Sequence, residues 1–164
     1  MLRAGFVLAL LLVCVAACAT REVLIPKSPI PPAGIDLSGQ WLLRGAEGES
    51  RRAARETLVY AFFETGRSLK VTQTPSGLFI SFDRSVVEEY RFGEQREISI
   101  GEIKADRVSG WDRNGYVIET LDADGAKLVE RWGLDADGRV LRRRVRLTDG
   151  SKVELDLEQV FDRV

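Results

Sequence analysis

The feature that most constrains the fold is the alternation of apolar and polar residues, which runs from Asp36 to the carboxyl terminus. The helical period is nearly absent there, and Gly or Asp interrupts the alternating runs about every eight to twelve residues. This pattern is typical of antiparallel strands joined by turns, so it predicts a single all-β domain over residues 36–164. The candidate strands are 38–44, 57–64, 68–74, 77–83, 86–92, 96–103, 105–111, 115–121, 127–134, 139–147 and 152–161.

The number of successive hairpins favours an up-and-down antiparallel meander. A sheet with so many strands must close into a barrel or fold over into two sheets, because its edges otherwise expose unpaired backbone groups. We expect a closed barrel of about 8–10 strands, with a two-sheet β-sandwich as the alternative. The segment from Glu49 to Leu58 departs from the pattern, since helix formers such as Ala53 and Ala54 favour a short helix or a mobile loop.

The last predicted hairpin turns at Thr148-Asp149-Gly150. A three-residue loop keeps the apolar residues of both strands on one face, with Val145 opposite Val153. Arg144 then faces an acidic residue of the next strand, which favours pairing of opposite charges. Arg143 falls on the apolar face, where it is either buried with a partner or placed at the mouth of a barrel.

The first residues, 1–17, have the composition of an export signal: Arg3 precedes an apolar run from Ala4 to Ala17. The run is shorter than the ~20 residues of a membrane-spanning helix. The stretch Val15-Ala16-Ala17-Cys18 resembles a bacterial lipobox. The resemblance implies cleavage before Cys18, acylation of its sulfur and new amine, and, because no Asp follows at position 19, an outer-membrane address facing the periplasm.

Ordinary signal cleavage is the alternative for this leader. Ala17-Cys18-Ala19 also fits the small-x-small cleavage pattern, which would release a soluble periplasmic protein beginning at Thr20. After the leader, residues 18–35 contain Pro26, Pro29, Pro31 and Pro32. Prolines favour extended polyproline II, so we interpret 18–35 as a solvated tether that holds the domain tens of ångströms from the membrane, at ~3 Å per residue.

The absence of histidine excludes Ser-His-Asp and Cys-His catalysis and any His-ligated metal site. Cys14 and Cys18 are the only cysteines, so the domain has no disulfide and no thiolate nucleophile. With 24 basic and 25 acidic residues, the chain offers no bulk attraction to nucleic acid. The sequence therefore predicts no catalytic, cofactor-binding or metal-binding residues, and a protein that is not an enzyme.

The block Leu-Asp-Ala-Asp-Gly occurs at 121–125 and at 134–138. A calcium loop of the EF-hand type needs ligands at its first and twelfth positions. With the block glycine as its sixth position, these would be Thr120 and Arg131, or Gly133 and Arg144, and neither pair fits. Because Asp-Gly between apolar runs is itself a turn signal, we predict hairpin turns at both blocks.

The domain opens with Gly39-x-Trp41, which resembles the opening motif of the lipocalins. The resemblance implies a lipocalin-like, calycin-like barrel with an apolar cavity closed at one end by that tryptophan. The Thr-Asp element of the family lies between middle strands, whereas Thr148-Asp149 lies in the last turn. Trp41, Trp111 and Trp132 are candidates for lining such a cavity, although large aromatic residues more often fill the core of a small β domain.

Two functions fit these features. The first is an outer-membrane-anchored periplasmic lipoprotein, lipidated at Cys18, whose lipocalin-like barrel binds a small apolar or lipid ligand. The alternative is a non-enzymatic structural lipoprotein that docks onto another envelope protein or a cell-wall component. An enzyme using carboxylates alone is the weakest candidate, because no constellation of residues supports it.

Overall fold

The computed structural model describes residues 22–50, 67–83, 86–100, 102–113 and 115–164, which form ten antiparallel strands. The strands are β1 (Gly39–Ser50), β2 (Ser68–Gln73), β3 (Gly77–Phe82), β4 (Val86–Arg91), β5 (Glu94–Ile100), β6 (Ile103–Asp112), β7 (Gly115–Asp122), β8 (Ala126–Leu134), β9 (Val140–Asp149) and β10 (Lys152–Arg163). No helix long and apolar enough to cross a lipid bilayer occurs in these ranges.

The strand predictions are confirmed wherever the structure describes the chain. Each candidate strand from 38–44 to 152–161 overlaps an observed one, except 57–64, which lies outside the described residues. Of the expected helix or loop from Glu49 to Leu58, the first two residues continue β1 and the rest lies outside the described residues. The export signal and Cys18 lie outside them as well.

The strands form one sheet in the order β4-β3-β2-β1-β10-β9-β8-β7-β6-β5. Pairing between β1 and β10 closes the meander on itself, while β4 and β5 stand at the two ends of the order and are not hydrogen-bonded to each other. The result is a nearly closed barrel of ten strands. The predicted barrel is confirmed, and the two-sheet sandwich is wrong because the meander returns to its first strand.

The register predicted for the last hairpin is wrong. Asp149 pairs with Lys152 across a two-residue turn, and a bulge between Val153 and Leu155 then shifts the register by one residue. Val145 therefore pairs with Leu157 rather than with Val153. Because of the bulge, the apolar residues of β9 and β10 lie opposite each other even though the turn has only two residues. The predicted register reached the same match without a bulge, by using a three-residue loop.

Both Leu-Asp-Ala-Asp-Gly blocks form turns between neighbouring strands, as predicted. The Asp122 carboxylate accepts the backbone N–H of Ala126 at 2.8 Å, at the turn from β7 to β8. The Asp135 carboxylate accepts the backbone N–H of Val140 at 2.9 Å, at the turn from β8 to β9. Gly125, with φ of +94°, provides the left-handed conformation that the first turn requires.

An N-terminal strap, defined as residues 22–30, lies along the outer face of the barrel. Ser28 exchanges two backbone hydrogen bonds with Trp111, at 2.8 and 3.0 Å, and Leu24 is buried against Val108 and Leu121. The interpretation of residues 18–35 as a solvated tether therefore does not describe this part of the segment. The proline pattern indicated the extended conformation but not the surface on which it packs.

Candidate functional site

The inward side chains of the barrel form two apolar clusters at different heights. The first, the aromatic cluster, lies at the end where β1 begins and includes Leu37, Trp41, Leu78, Tyr90, Trp111, Tyr116, Trp132, Leu141 and Phe161. The second, the aliphatic cluster, lies toward the other end and comprises Ala105, Ala126, Leu128, Val145, Leu147 and Leu155. On β8 and β9, one inward residue separates the two clusters.

The three tryptophans predicted as cavity candidates are all brought together in the aromatic cluster. Trp41, Trp111 and Trp132 are 0%, 3% and 1% exposed. The Trp41 indole donates a hydrogen bond to the Leu37 carbonyl at 3.2 Å and is thus satisfied within the protein. The indole N–H groups of Trp111 and Trp132 are buried and have no hydrogen-bond partner in the part of the chain that the structure describes. Buried N–H donors normally find an acceptor, so these two have hydrogen-bonding capacity to spare.

A polar belt, comprising Arg107, Glu130, Arg143 and Gln159, crosses the interior between the clusters. All four side chains are buried. The Arg143 guanidinium donates to Glu130 Oε2 through Nε at 2.8 Å and through Nη2 at 2.6 Å, and to Gln159 Oε1 at 3.0 Å. Its carbon Cζ lies 5.0 Å from the Trp132 ring centre. The sequence left open whether Arg143 is buried with a partner or placed at the mouth of the barrel. In the structure it is buried with partners.

Arg107 is the less satisfied arginine of the belt. It is 4% exposed, and its Nη2 lies 3.4 Å from the Glu89 carbonyl oxygen and 3.5 Å from Glu94 Oε2, which are long contacts for a buried guanidinium. The face of the Tyr90 ring lies 4.9 Å from its Cζ. Within the described ranges, the Arg107 Nε has no hydrogen-bond partner. Arg107 therefore presents a charged N–H donor to the interior.

Side chains bridge the seam where β4 and β5 do not pair. Ser109 donates its hydroxyl to the Arg91 carbonyl oxygen at 2.9 Å, and the Tyr116 hydroxyl lies 3.5 Å from the same oxygen. Together with the contact of Arg107 to Glu89, these bonds satisfy carbonyls of β4 that a neighbouring strand would otherwise satisfy. The seam is thus closed by side chains of β6 and β7.

The electrostatics of the interior follow from its burial. Burial raises the pKa of the half-buried Glu88 carboxyl above its usual value, although Arg107 opposes the shift. Burial likewise raises the pKa of the Tyr90 and Tyr116 hydroxyls, so both stay neutral. In the described ranges, no group of three His, Cys, Asp or Glu side chains is arranged to hold a metal ion.

The barrel is similar in fold to several solved structures. No family model matches the chain, and no curated protein matches it in sequence. A secretory abundant heat soluble (SAHS) protein of Ramazzottius varieornatus aligns with a TM-score of 0.51 and 11% identity, over 77% of this chain and 94% of that chain. The fatty-acid-binding protein 1 of Echinococcus granulosus aligns with a TM-score of 0.51 and 13% identity, over 77% and 96%.

A third structure, the zebrafish ileal bile acid-binding protein complexed with cholic acid, aligns with a TM-score of 0.51 and 12% identity, over 78% of this chain and 98% of that chain. The chain has a calycin-like barrel fold. At these identities the likeness concerns the fold alone, and the interior side chains are read from this chain itself.

Sequence reasoning identified Arg143 but missed its partners. Glu130 stands between Leu128 and Trp132 in the alternation of β8, and Gln159 stands between Leu157 and Phe161 in that of β10. A polar residue in the middle of an inward apolar row was therefore the available signal for both. Arg107 carried the same signal on β6, between Ala105 and the inward residues that follow.

Proposed function

We propose that the chain is a lipoprotein acylated at Cys18 and anchored in the outer membrane on the periplasmic side, and that its barrel binds a small lipid or other apolar ligand with one polar end. The proposal contains no catalytic step, because the chain has no histidine and its only cysteines are Cys14 and Cys18.

One observation carries the ligand-binding part: three buried N–H groups of the interior have no acceptor among the described residues. They are Arg107 Nε, Trp111 Nε1 and Trp132 Nε1. An unsatisfied buried donor costs about 1–3 kcal/mol, and more when it is charged. A ligand that brings an acceptor oxygen to Arg107 Nε in the polar belt, and leaves its apolar part against the clusters, would recover the part of this free energy that belongs to the charged donor. Ligand sites in barrels commonly combine apolar walls with a few convergent polar groups.

The solved structures with this fold support the same class of ligand. The name of one neighbour states that it binds fatty acids, and another is complexed with cholic acid. Both names describe an apolar molecule with one acidic group. The unpaired Arg107 Nε of the belt suits an acidic group better than a neutral one, since hydrogen bonds between charged groups are roughly twice as strong.

The test compares two ligands that differ only at the polar end. Oleic acid and oleyl alcohol are titrated against the delipidated protein by displacement of a fluorescent fatty-acid analogue. We expect oleic acid to bind more tightly, and Arg107→Met to weaken it by about tenfold or more while changing oleyl alcohol little. Arg131→Met is the matched control, because Arg131 lies on the outer face and its side chain is 47% exposed. Equal losses in the two variants, or no saturable binding of either ligand, would refute the proposal.

The anchor is tested separately by mass analysis of the mature amino terminus. A triacylated Cys18 and loss of membrane retention in Cys18→Ala are the expected results. A bare terminus at Thr20 would refute the anchor and leave the ligand-binding part standing.

The alternative function, a lipoprotein that docks onto an envelope protein or a cell-wall component, rests on an exposed apolar patch. Phe79 on β3 and Val87 on β4 are 39% and 64% exposed on the outer face. In-cell crosslinking from position 87 would favour this function if it captured one specific partner and Val87→Glu abolished the crosslink.

A further inference from the structure

The N-terminal strap follows a defined path down the barrel wall. At its start, Glu22 forms an ion pair with Lys127 at 2.5 Å, beside the turn from β7 to β8. Lys27 then forms an ion pair with Glu119 at 2.7 Å, in a site where both side chains are mostly buried. The strap reaches the opposite end of β6 at Ser28, which pairs with Trp111.

Leu24 is the apolar residue of the strap that packs against the outer face of the barrel. It is 4% exposed and packs with Val108 and Leu121, which point outward from β6 and β7. Without the strap these two side chains would be an exposed apolar surface, so their burial favours the docked position. The docking site thus has an apolar contact near its start and a buried ion pair further along.

Docking shortens the free length of chain between Cys18 and the barrel. If residues 18–35 were an undocked spacer, they would reach about 55 Å at polyproline II spacing. With Leu24 docked, only residues 19–23 remain between Cys18 and the first apolar contact, and a fully extended chain covers that interval in about 20 Å. The first described residue of the strap, Glu22, lies beside the β7–β8 turn, so the strap begins at this end of the barrel.

The outward side of the strap is apolar at this same end. Val23 and Ile25 flank the buried Leu24 in the extended chain and point away from the barrel, with exposures of 76% and 72%. Exposed apolar side chains within a few residues of a lipid anchor suit the boundary between headgroups and acyl chains.

We propose that the docked strap orients the barrel on the lipid bilayer, with the β7–β8 turn toward the membrane and Val23 and Ile25 in contact with the lipid surface. This inference rests on the proposed anchor at Cys18. The end of the barrel with the aliphatic cluster then faces the bilayer, and the aromatic cluster lies at the far end.

The repeated Leu-Asp-Ala-Asp-Gly block provides a matched pair of probe positions. Ala123 and Ala136 hold the same place in the two blocks, both are exposed, and they lie at opposite ends of β8. The variants Ala123→Trp and Ala136→Trp are bound to vesicles that contain a phospholipid with a nitroxide on its headgroup. The nitroxide quenches the fluorescence of a nearby tryptophan. The native tryptophans give the same background in both variants.

We expect quenching of the tryptophan at position 123 and little at 136. The double variant Leu24→Asp, Lys27→Glu undocks the strap by placing carboxylates against apolar residues and Glu119, without changing a barrel residue. In that background the difference between the two positions is lost, and hydrogen exchange at the Ser28 and Trp111 amides verifies the undocking. Equal quenching at both positions in the parent protein, or a difference that persists after verified undocking, overturns the proposal.

The anchor and the orientation are tested independently. Because no cysteine follows Cys18, a chain expressed from Cys18 onward without the leader, and therefore not acylated, can be coupled through its free Cys18 thiol to a maleimide phospholipid. A native chain without acyl groups refutes the proposed anchor. The coupled chain still reports whether the strap orients the barrel, and equal quenching there refutes the orientation alone.

Discussion

Arg143 and Glu130 form an ion pair inside the barrel, with 2.6 Å between Nη2 and Oε2 and with both side chains almost fully buried. Gln159 accepts a further hydrogen bond from the same guanidinium. Two charges taken out of water are costly, and only close pairing with additional hydrogen bonds offsets that cost. The pair links β8 to β9 and Gln159 extends the link to β10, so these three residues of the polar belt join three adjacent strands.

Removing one partner of this pair is expected to lower the free energy of unfolding much more than removing both partners. Arg143→Met leaves the Glu130 carboxylate buried and uncompensated, which should lower the free energy of unfolding by about 3–5 kcal/mol. The double variant Arg143→Met, Glu130→Leu should recover most of that loss, because two apolar side chains of similar size replace the charges. Urea denaturation followed by circular dichroism measures both.

An exposed arginine of the same strand is the control. Arg144 forms an ion pair with Asp156 at 3.0 Å, and its side chain is 59% exposed. Arg144→Met should cost less than about 1 kcal/mol, as is usual for surface ion pairs. Similar losses for Arg143→Met and Arg144→Met would show that burial does not set the strength of the inner pair.

The strands and turns were predictable because their signals are local. Alternation places inward and outward residues two apart, and the Asp carboxylates at positions 122 and 135 bond backbone groups within five residues. The register of the last hairpin was not predictable in this way. The bulge beside Glu154 removes one residue from the pairing, and nothing in the alternation of β10 marks it.

The belt and the strap were harder to predict because their contacts join distant residues. Arg107 on β6 bonds the Glu89 carbonyl of β4 across the seam, a relationship set by closure of the barrel. The strap was recognised as extended from its prolines. Its docking depends on outward apolar residues such as Val108 and Leu121, whose row on the barrel surface appears only once β6 and β7 pair.

A second prediction concerns Glu88, whose pKa burial raises above its usual value of 4.5. A carboxyl with a raised folded-state pKa favours folding below the unfolded-state pKa, and that contribution is lost as pH rises through the folded-state pKa. Glu88→Gln should therefore be more stable than the parent protein at pH 7, with a gain that disappears as pH falls below about 4.5.

Thermal unfolding across this pH range, in parallel for the two proteins, measures the difference. Glu97→Gln is the control, because the Glu97 side chain is 61% exposed on the outer face of β5. A stability gain for Glu88→Gln that is equally large at pH 4 and pH 7 would contradict the assignment to burial of the charged form.

A third prediction concerns Arg163, which seals the end of the barrel at Trp41. Its Cζ lies 4.2 Å from the Trp41 ring centre, and the guanidinium donates to the carbonyls of Ser38 at 2.6 Å and Gly138 at 2.8 Å. Arg163→Ala should lower the free energy of unfolding by about 1–2 kcal/mol, given a partly exposed cation–π contact and two hydrogen bonds.

Arg163→Lys separates geometry from charge. An ammonium group keeps the positive charge but cannot stack on the indole while bonding two carbonyls on different loops. We expect Lys to recover less than half of the loss caused by Ala, measured by urea denaturation. If the Lys variant were as stable as the parent, charge alone would explain the contribution of Arg163.

The final prediction tests what holds the strap. Gly110 on β6 lies directly beneath it, and an added Cβ would stand 2.6 Å from the Ser28 carbonyl oxygen and 2.8 Å from Lys27 Cβ. Gly110→Ala should therefore displace the strap and expose the Ser28 amide to fast hydrogen exchange, while amides of β9 stay protected. Gly133→Ala is the control, since its Cβ would meet nothing within 4 Å. A Ser28 amide that stays protected in Gly110→Ala would mean that the strap adapts, and that the ion pair of Lys27 with Glu119 holds it rather than the close approach at glycine.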